Sequence, residues 1–168
     1  MNGPIDTKKA ERRELLFGGR EDLAMELDRL EAAHAAGTLR TSGNWTAAQG
    51  LEHCARVWAA AMDGFPEGAR PPGWLKLAAK LFFRRAAVAG KTAPAGMKPP
   101  AVITDHFEPG PEVAFDDAMA HLRGQLERTR RGERFSKPSP LFGELTHDEW
   151  LRLQLGHCQL HLGFMHPG

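Results

Sequence analysis

Residues 146–165 read THDEWLRLQLGHCQLHLGFM, and this stretch predicts the last helix of the protein. His157 and His161 are four residues apart, about one helical turn, so both imidazoles project from the same face. Such a pair is half of a binding site for zinc or a similar metal. The alternative is a pair of buried histidines that bond to other side chains. The stripe that carries the pair also holds Trp150, Leu153, Leu160 and Phe164.

A second apolar stripe runs along the same helix. A helix that is apolar on two sides must be covered on both. We expect either a second subunit, which would make the protein a homodimer, or an inserted helix over residues 74–89 to cover this stripe. Its members are Leu151, Leu155, Cys158, Leu162 and Met165.

The hydrophobic pattern predicts an all-α fold of four main helices with one inserted helix, over residues 74–89, between the second and third. The short link after the first helix makes the first two antiparallel neighbours, and the long insertion allows a crossover connection. Capping-box spacing marks the starts of the second and fourth helices, and Pro111 suits the first turn of the third. The four main helices are predicted over residues 20–36, 46–63, 112–131 and 146–165.

The remaining segments predict no strand. Residues 1–14 are polar and charged and are expected to form a loose arm, while residues 90–103 are rich in proline and glycine and are expected to form a crossover loop. With 168 residues, of which 42% are apolar, the chain is expected to be one domain, 1–168, with a substantial core.

Composition restricts the location and the partners. The formal net charge of +1 gives no reason to expect a nucleic-acid partner. No apolar run approaches the roughly 20 residues of a membrane span, so no membrane partner is expected. The polar N-terminal stretch predicts no secretion signal, and the two cysteines predict no disulfide framework. We therefore expect a cytoplasmic protein that acts on a small-molecule ligand.

A basic segment lies in the middle of the chain. Residues 68–104 contain seven basic residues and no acidic one. In its helix, Leu77, Leu81 and Val88 are predicted to face inward. This face is either a solvated surface or one that collects an anionic cofactor or partner. The side chains predicted to face outward are Lys76, Lys80, Arg84 and Arg85.

For the other histidines and the cysteines, the pattern predicts no ligand or catalytic role. Periodicity makes His34 and His53 boundary residues, and Asp117 with His121 an exposed ion pair. His106, His147 and His166 fall in loops or at helix ends and receive no role. One residue step turns a helix by about 100°, so each cysteine should face away from the histidine before it. The buried free thiols are predicted at Cys54 and Cys158.

Three segments carry a resemblance to a known family. GNWTAAQGLEHCARVWAAAMDGFP (43–66) and SPLFGELTHDEWLRLQLGHCQLHLGFM (139–165) resemble the DinB-like, or DinB/YfiT-type, superfamily of metal-dependent four-helix-bundle proteins. RRELLFGGREDLAMELDRL (12–30) agrees more weakly and extends the likeness to nearly the whole chain. The nearer likeness is to a branch described as a domain of unknown function.

The resemblance implies an open three-histidine site. His53 matches the ligand from the second helix, and His157 and His161 match the pair from the fourth. Zinc or nickel is the metal that the resemblance implies. Some members of the superfamily are thiol-dependent transferases or isomerases that use low-molecular-weight thiols, and others have no known activity.

Three functions stay open at this point. An open metal on three neutral imidazoles can lower the pKa of bound water to about 7 or deprotonate a coordinating thiol. A thiol-dependent transferase, a hydrolase and a non-catalytic metal-stabilised binding module all fit. The basic stretch from Arg70 to Lys98 is expected to receive the remaining charge of an anionic ligand. Gln154 is one candidate to accept a ligand histidine's second N–H, and no general base is identified, because Glu52 is predicted to face solvent.

Overall fold

The computed structural model describes residues 5–69, 71–94, 96 and 101–168, without the side chain of residue 102. Helices dominate these residues, so the prediction of an all-α fold is confirmed. The only strands among them are β1 (Arg40–Thr41) and β2 (Met165–His166), which pair antiparallel. The helices are α1 (Arg20–Ala35), α2 (Ala47–Asp63), α3 (Gly73–Phe82), α4 (Arg84–Val88), α5 (Ala101–Phe107), α6 (Phe115–Arg130) and α7 (His147–Leu162).

The core lies between α1, α2, α6 and α7, the four helices that the hydrophobic pattern predicts. α2 packs against both α6 and α7, and α1 contacts the same two helices. Each fully buried leucine stabilises the fold by about 1.5–3 kcal/mol relative to an exposed one. The largest side chains of this core include Trp58, Trp150, Leu23, Leu27, Leu51, Leu122 and Leu162.

The predicted capping boxes are confirmed at the starts of α2 and α7. The Thr46 hydroxyl accepts from the Gln49 N–H, and the Gln49 side chain accepts from the Thr46 N–H. Thr146 and Glu149 make the same reciprocal pair. Both caps satisfy N–H groups that a helix leaves free at its start. They also fix where α2 and α7 begin, and hence the direction in which each later side chain points.

Several predicted boundaries are wrong. α6 begins at Phe115 after an Ala114 N-cap, which leaves Pro111 in the preceding turn. The first turn of α6 carries Asp116 and Asp117, whose charges suit the positive end of the helix dipole. The predicted crossover loop overlaps the start of α5, and the predicted helix over 74–89 is interrupted at Phe83.

The last helix is also shorter than predicted. It ends at Leu162, and Met165 pairs with Thr41 in the strand pair that the sequence did not predict. Two residues per strand are too few to show the alternating pattern by which strands are recognised.

The N-terminal segment is bound to the body of the protein rather than loose. The backbone N–H of Arg13 donates to the Gly163 carbonyl at 2.8 Å, and its guanidinium donates to the carbonyl of Met165 and pairs with the buried Glu26. The Asn44 side chain bonds both backbone groups of Ile5. The predicted loose arm is therefore wrong for residues 5–14. A buried carboxylate requires a charged partner, and this segment supplies it.

The second stripe of α7 is covered within the chain. Leu155, Leu162 and Met165 are buried. These residues belong to the core that α7 shares with α1, α2 and α6. α4 and the turn after it pack on a different side of α7, where the Gln159 amide donates to the Gly90 carbonyl and to the Thr92 hydroxyl. The expectation that a second subunit or the inserted helix covers this stripe is therefore wrong, because the chain's own main helices bury it.

α3 has the opposite orientation to the predicted one. Trp74, Leu77, Leu81 and Phe82 are exposed by 72, 59, 69 and 75%, whereas Ala79 is the buried residue of α3. The prediction that Leu77 and Leu81 face inward is therefore wrong. A helix can pack closely through a small residue such as alanine, which leaves its large side chains on the other side. Across the described ranges, no helix combines the length and the apolar character that a membrane crossing requires.

A pair of glycine substitutions tests the packing of the inserted segment on α7. A β-carbon at Gly156 would lie 2.9 Å from the Gly90 oxygen and 3.1 Å from the Gly90 carbonyl carbon. We expect Gly156→Ala to lower the free energy of unfolding by about 1–3 kcal/mol, because backbone must move to admit the methyl group. Gly124 in α6 is the matched control, since nothing lies within 4 Å of its β-carbon position.

The control should respond in the opposite direction. Gly124→Ala is expected to raise the free energy of unfolding by about 0.4–1 kcal/mol, because alanine loses less backbone entropy in an exposed helix. Urea unfolding of both variants measures the difference. Equal effects of the two substitutions would contradict the packing of the Gly90 turn on α7.

Candidate metal centre

Packing of α2 on α7 brings together the three histidines that the resemblance implies. The ring centroid of His53 lies 4.9 Å from that of His157 and 4.5 Å from that of His161. The centroids of His157 and His161 are 4.6 Å apart. One nitrogen from each imidazole lies within 4.8 Å of the other two. All three residues are half-buried.

His53 has the hydrogen bond that orients a metal ligand. Its Nδ1 lies 3.0 Å from the carbonyl oxygen of Phe107. A carbonyl oxygen only accepts, so Nδ1 carries the proton and Nε2 presents its lone pair to the cluster. Ligand histidines in proteins usually donate their second N–H in this way. Phe107 ends α5, a helix that the sequence did not predict, so this partner could not be identified from the pattern.

His157 has no such partner among the residues that the structure describes. Its Nδ1 is buried and makes no hydrogen bond, and neither does the side-chain oxygen of Gln154. The Gln154 amide instead donates to the Val57 carbonyl at 3.0 Å. The prediction that Gln154 accepts from a ligand histidine is therefore wrong for the arrangement observed.

Trp45 forms one wall of the site. Its ring stacks on His161 with centroids 5.4 Å apart and planes 17° apart, and its centroid is 4.8 Å from that of His53. Trp45 precedes α2, so the helical spacing that identifies the histidines says nothing about the position of its ring.

Burial keeps the imidazoles uncharged. Desolvation lowers the pKa of His157 to about 3, with a smaller contribution from His53. Desolvation also lowers the pKa of His161 well below its ordinary value, and the other two rings add to the effect. The pKa of His53 is lowered by burial and by Arg56, although its bond to the Phe107 carbonyl raises it. Neutral imidazoles are the form that binds metals, so the site is ready for a ligand role at neutral pH.

One pair of donor atoms has a spacing close to that of a tetrahedral metal site. The Nε2 atoms of His53 and His157 are 3.1 Å apart. Two nitrogens bound to a tetrahedral zinc at about 2.0–2.1 Å would be about 3.3 Å apart. No fourth histidine, cysteine or carboxylate joins the group within the described part of the chain. Three imidazole donors suit a divalent transition metal, and the described residues supply no fourth ligand.

The match to a known family covers both helices that carry the cluster histidines, α2 and α7. The sequence pattern of DUF1569, described as a protein of unknown function, matches residues 9–168. The chain belongs to the DUF1569 family. No curated protein and no solved structure matches it. All three histidines of the cluster lie in the matched region.

Glu52 of this DUF1569 protein is held away from the histidine cluster. Its carboxylate accepts from Arg56 at 2.7 Å and from His121 at 2.8 Å. Burial raises the pKa of Glu52, but the hydrogen bonds from these two residues outweigh burial and leave its pKa lowered. The predicted pair of His121 with Asp117 is therefore wrong, as is the prediction that Glu52 faces open solvent. A carboxylate that is ionised and bonded twice is a poor general base.

The two cysteines of the DUF1569 chain supply no ligand. Cys54 and Cys158 are free and buried, as predicted. A hydrogen bond with Cys158, together with burial, raises the pKa of Cys54 well above its ordinary value. The Cys54 thiol therefore stays protonated, and the two thiols lie against each other in the core. Neither belongs to the group of residues that can hold a metal.

The remaining histidines lie apart from the cluster. His34 stacks on Phe115 at the exposed end of α1, and His147 bonds the Phe135 backbone N–H through Nδ1. His166 is buried beside Ser42. His106 lines a cavity of about 280 Å³.

The described part of the basic stretch packs on another face of α7. The turn at Gly90 contacts Gly156 and Gln159, which point roughly 100° and 160° around the helix from His157. Lys76 and Lys80 line a cavity of about 520 Å³ that does not include the histidines. We therefore do not assign to this stretch the charge of a metal-bound ligand. The two ends of the predicted stretch, Arg70 and Lys98, lie outside the described residues.

Proposed function

We propose that this DUF1569 protein is a metal-dependent enzyme that holds one zinc or nickel ion on His53, His157 and His161. Its foremost activity is thiol-dependent transfer to or from a small molecule. The observation that carries the proposal is the convergence of three neutral imidazoles with no fourth protein ligand among the described residues. Three protein ligands are typical of catalytic zinc sites, whereas four are typical of structural ones.

The residues around the site serve this chemistry in distinct ways. A bound metal supplies a Lewis acid that deprotonates a coordinating thiol or water. The Phe107 carbonyl holds the proton of His53 on Nδ1 and leaves Nε2 free to bind. Trp45 covers His53 and His161 with an apolar ring and limits the access of water to that side. Low pKa values keep the imidazoles from being protonated at neutral pH.

We also propose that the fold is a DinB-like four-helix bundle. Support comes from the order of the main helices α1, α2, α6 and α7 and from the long crossover that contains α3, α4 and α5. The ligands come from the second and the fourth main helices, as the resemblance implies. Two free buried thiols favour a reducing compartment, so we propose a cytoplasmic location.

A hydrolase and a non-catalytic module remain as alternatives. The same metal would activate water as readily as a thiol. One observation favours the module: no carboxylate hydrogen-bonds a cluster histidine among the described residues, and the nearby Glu52 is committed to Arg56 and His121. A site without an acid or a base can bind a ligand but is poorly equipped to transfer its protons.

Cobalt substitution tests the thiol-dependent function. We expect small thiols such as glutathione to add one sulfur ligand and to produce an intense near-ultraviolet absorption, because an open metal favours an anionic thiolate. S-methylglutathione is the matched control ligand, since it has no ionisable thiol. A Cys54→Ala/Cys158→Ala variant should give the same spectrum, which would show that the sulfur comes from the added ligand.

Each result assigns the site to one function. If thiols leave the spectrum unchanged while acetate or phosphate alters it, the site favours hydrolysis. If no anion changes the spectrum, the open position is absent and the enzyme proposal fails.

A further inference from the structure

α3 presents an apolar ridge to solvent. Trp74, Leu77 and Leu81 fall within about 60° of one another around the helix, and Phe82 lies beside them. Each of these four side chains is more than half exposed, and Phe83 continues the patch at the break before α4. Isolated exposed apolar residues are ordinary, but five large ones in ten consecutive positions mark an interaction surface.

The surroundings of this ridge are basic. Arg85 is exposed just beyond the break, and Lys80 and Lys76 lie about 100° and 140° around α3 from the ridge, where they line a cavity together with Lys137. None of these four makes a salt bridge with a described residue, whereas Arg84 pairs with Glu149. The sequence from 68 to 104 contains no aspartate or glutamate. The ridge therefore combines exposed apolar area with uncompensated positive charge.

This combination argues against a second copy of the chain as the occupant. A two-fold dimer buries the same patch of both subunits against itself. The basic residues of both subunits would then gather at one interface, and residues 68–104 contain no acidic residue to pair with them. The partner must instead be negatively charged and apolar. A ridge also fits better into a surface that can deform around it than against a rigid protein surface that has no matching groove.

We propose that α3, with the start of α4, docks the protein on the surface of an anionic membrane. Tryptophan, leucine and phenylalanine side chains enter the boundary between headgroups and acyl chains, and lysine and arginine bind the lipid phosphates. The helix would lie in the plane of the membrane surface, so it does not need the length of a helix that crosses the membrane. The prediction of no membrane partner considered spanning segments alone.

The ridge and the histidine cluster share no residue. The inserted segment contacts a face of α7 that is turned away from His157. The proposal is therefore independent of the metal and of the reaction.

Vesicle sedimentation with the full chain tests the proposal. We expect binding to vesicles of equal parts phosphatidylcholine and phosphatidylserine, weaker binding to phosphatidylcholine alone, and loss of binding as salt is added. The emission of Trp74 should shift to the blue as its ring leaves water, and Trp74→Phe should remove the shift. All the side chains to be changed are exposed, and unchanged thermal unfolding would confirm that the variants fold.

Matched variants separate the two contributions. Lys80→Gln and Arg85→Gln should each weaken binding roughly fivefold, whereas Arg131→Gln, on an exposed side chain elsewhere, should not. Leu81→Ser should weaken binding about tenfold, whereas Met25→Ser, an exposed apolar control on α1, should not.

Two results would overturn the proposal. One is the absence of vesicle binding by the unchanged protein. The other is equal weakening by the ridge and control variants. A concentration-dependent dimer that Leu81→Ser dissociates, without any vesicle binding, would assign the ridge to a second copy of the chain.

Discussion

Replacement of His157 by alanine is expected to abolish tight binding of the divalent metal and to lower its affinity by more than about 100-fold. The loss of a residue that only orients a ligand costs about 10–100-fold, and the loss of a ligand itself should cost more. His161→Ala should have the same effect, because both residues project from one face of α7 into the cluster. Elemental analysis of protein purified without a histidine tag measures the result.

His53 is the ligand whose prediction depended most on the resemblance. His53→Ala should also abolish binding, since its Nε2 lies 3.1 Å from that of His157. His34→Ala and His121→Ala are the matched controls, because both rings lie outside the cluster and are bonded or stacked elsewhere. One metal per chain in His53→Ala would remove this residue from the site, and loss of metal in either control would mean that the cluster is misidentified.

The metal-free protein should lose stability as the pH falls below about 6.5, the ordinary pKa of histidine. In the folded state the pKa of His157 is lowered to about 3, and those of His53 and His161 are lowered as well. Between about pH 6.5 and 3 the unfolded chain therefore binds more protons than the folded one. The stability is fully present above 6.5 and is lost progressively towards acid, by an amount on the order of a few kcal/mol.

Urea unfolding across this pH range, with a chelator present, measures the effect. His157→Leu should flatten the pH dependence, because it removes one group that is protonated only after unfolding. A matched control is His106→Leu, whose ring is exposed at a cavity edge. If the stability of the His157→Leu variant fell with pH as steeply as that of the unchanged protein, burial would not be the cause of the lowered pKa of His157.

The lowered pKa values of the cluster histidines also change the expected pH dependence of metal binding. Free imidazole predicts that binding weakens as the pH falls through about 6.5. Because burial holds the folded imidazoles neutral at lower pH, protons should compete with the metal only below that value.

Local sequence signals predicted part of this site well. The spacing of His157 and His161 is visible in one helical turn, and the capping boxes at Thr46 and Thr146 fix where their helices begin. These features depend on neighbours three or four residues apart. Periodicity left His53 at a boundary, so only the resemblance placed it at the metal.

Long-range features could not be predicted in this way. Phe107 reaches His53 from α5, 54 positions away, and Trp45 lies over His161 from outside any helix. The charged N-terminal run appeared loose because its partners, Glu26 and the end of α7, are distant in sequence. Spacing shows which residues share a helix face but not what covers that face.

α3 illustrates this limit most clearly. Its amphipathic pattern predicts an apolar face and a basic face, and the usual assumption turns the apolar face inward. The structure instead packs the small Ala79 inward and leaves Trp74 and Leu81 outside. The pattern predicts the two faces, but which face is buried depends on the surface against which the helix packs.

X-ray absorption spectroscopy of the zinc-loaded protein, at the zinc edge and without added thiol, tests the three-histidine site most directly. We expect three imidazole nitrogens at about 2.0–2.1 Å and at least one further light atom from solvent or buffer. His161→Ala should leave no ordered site to measure. A sulfur ligand from Cys54 or Cys158, a fourth ligand from the protein, or no bound zinc at all would contradict an open site on His53, His157 and His161.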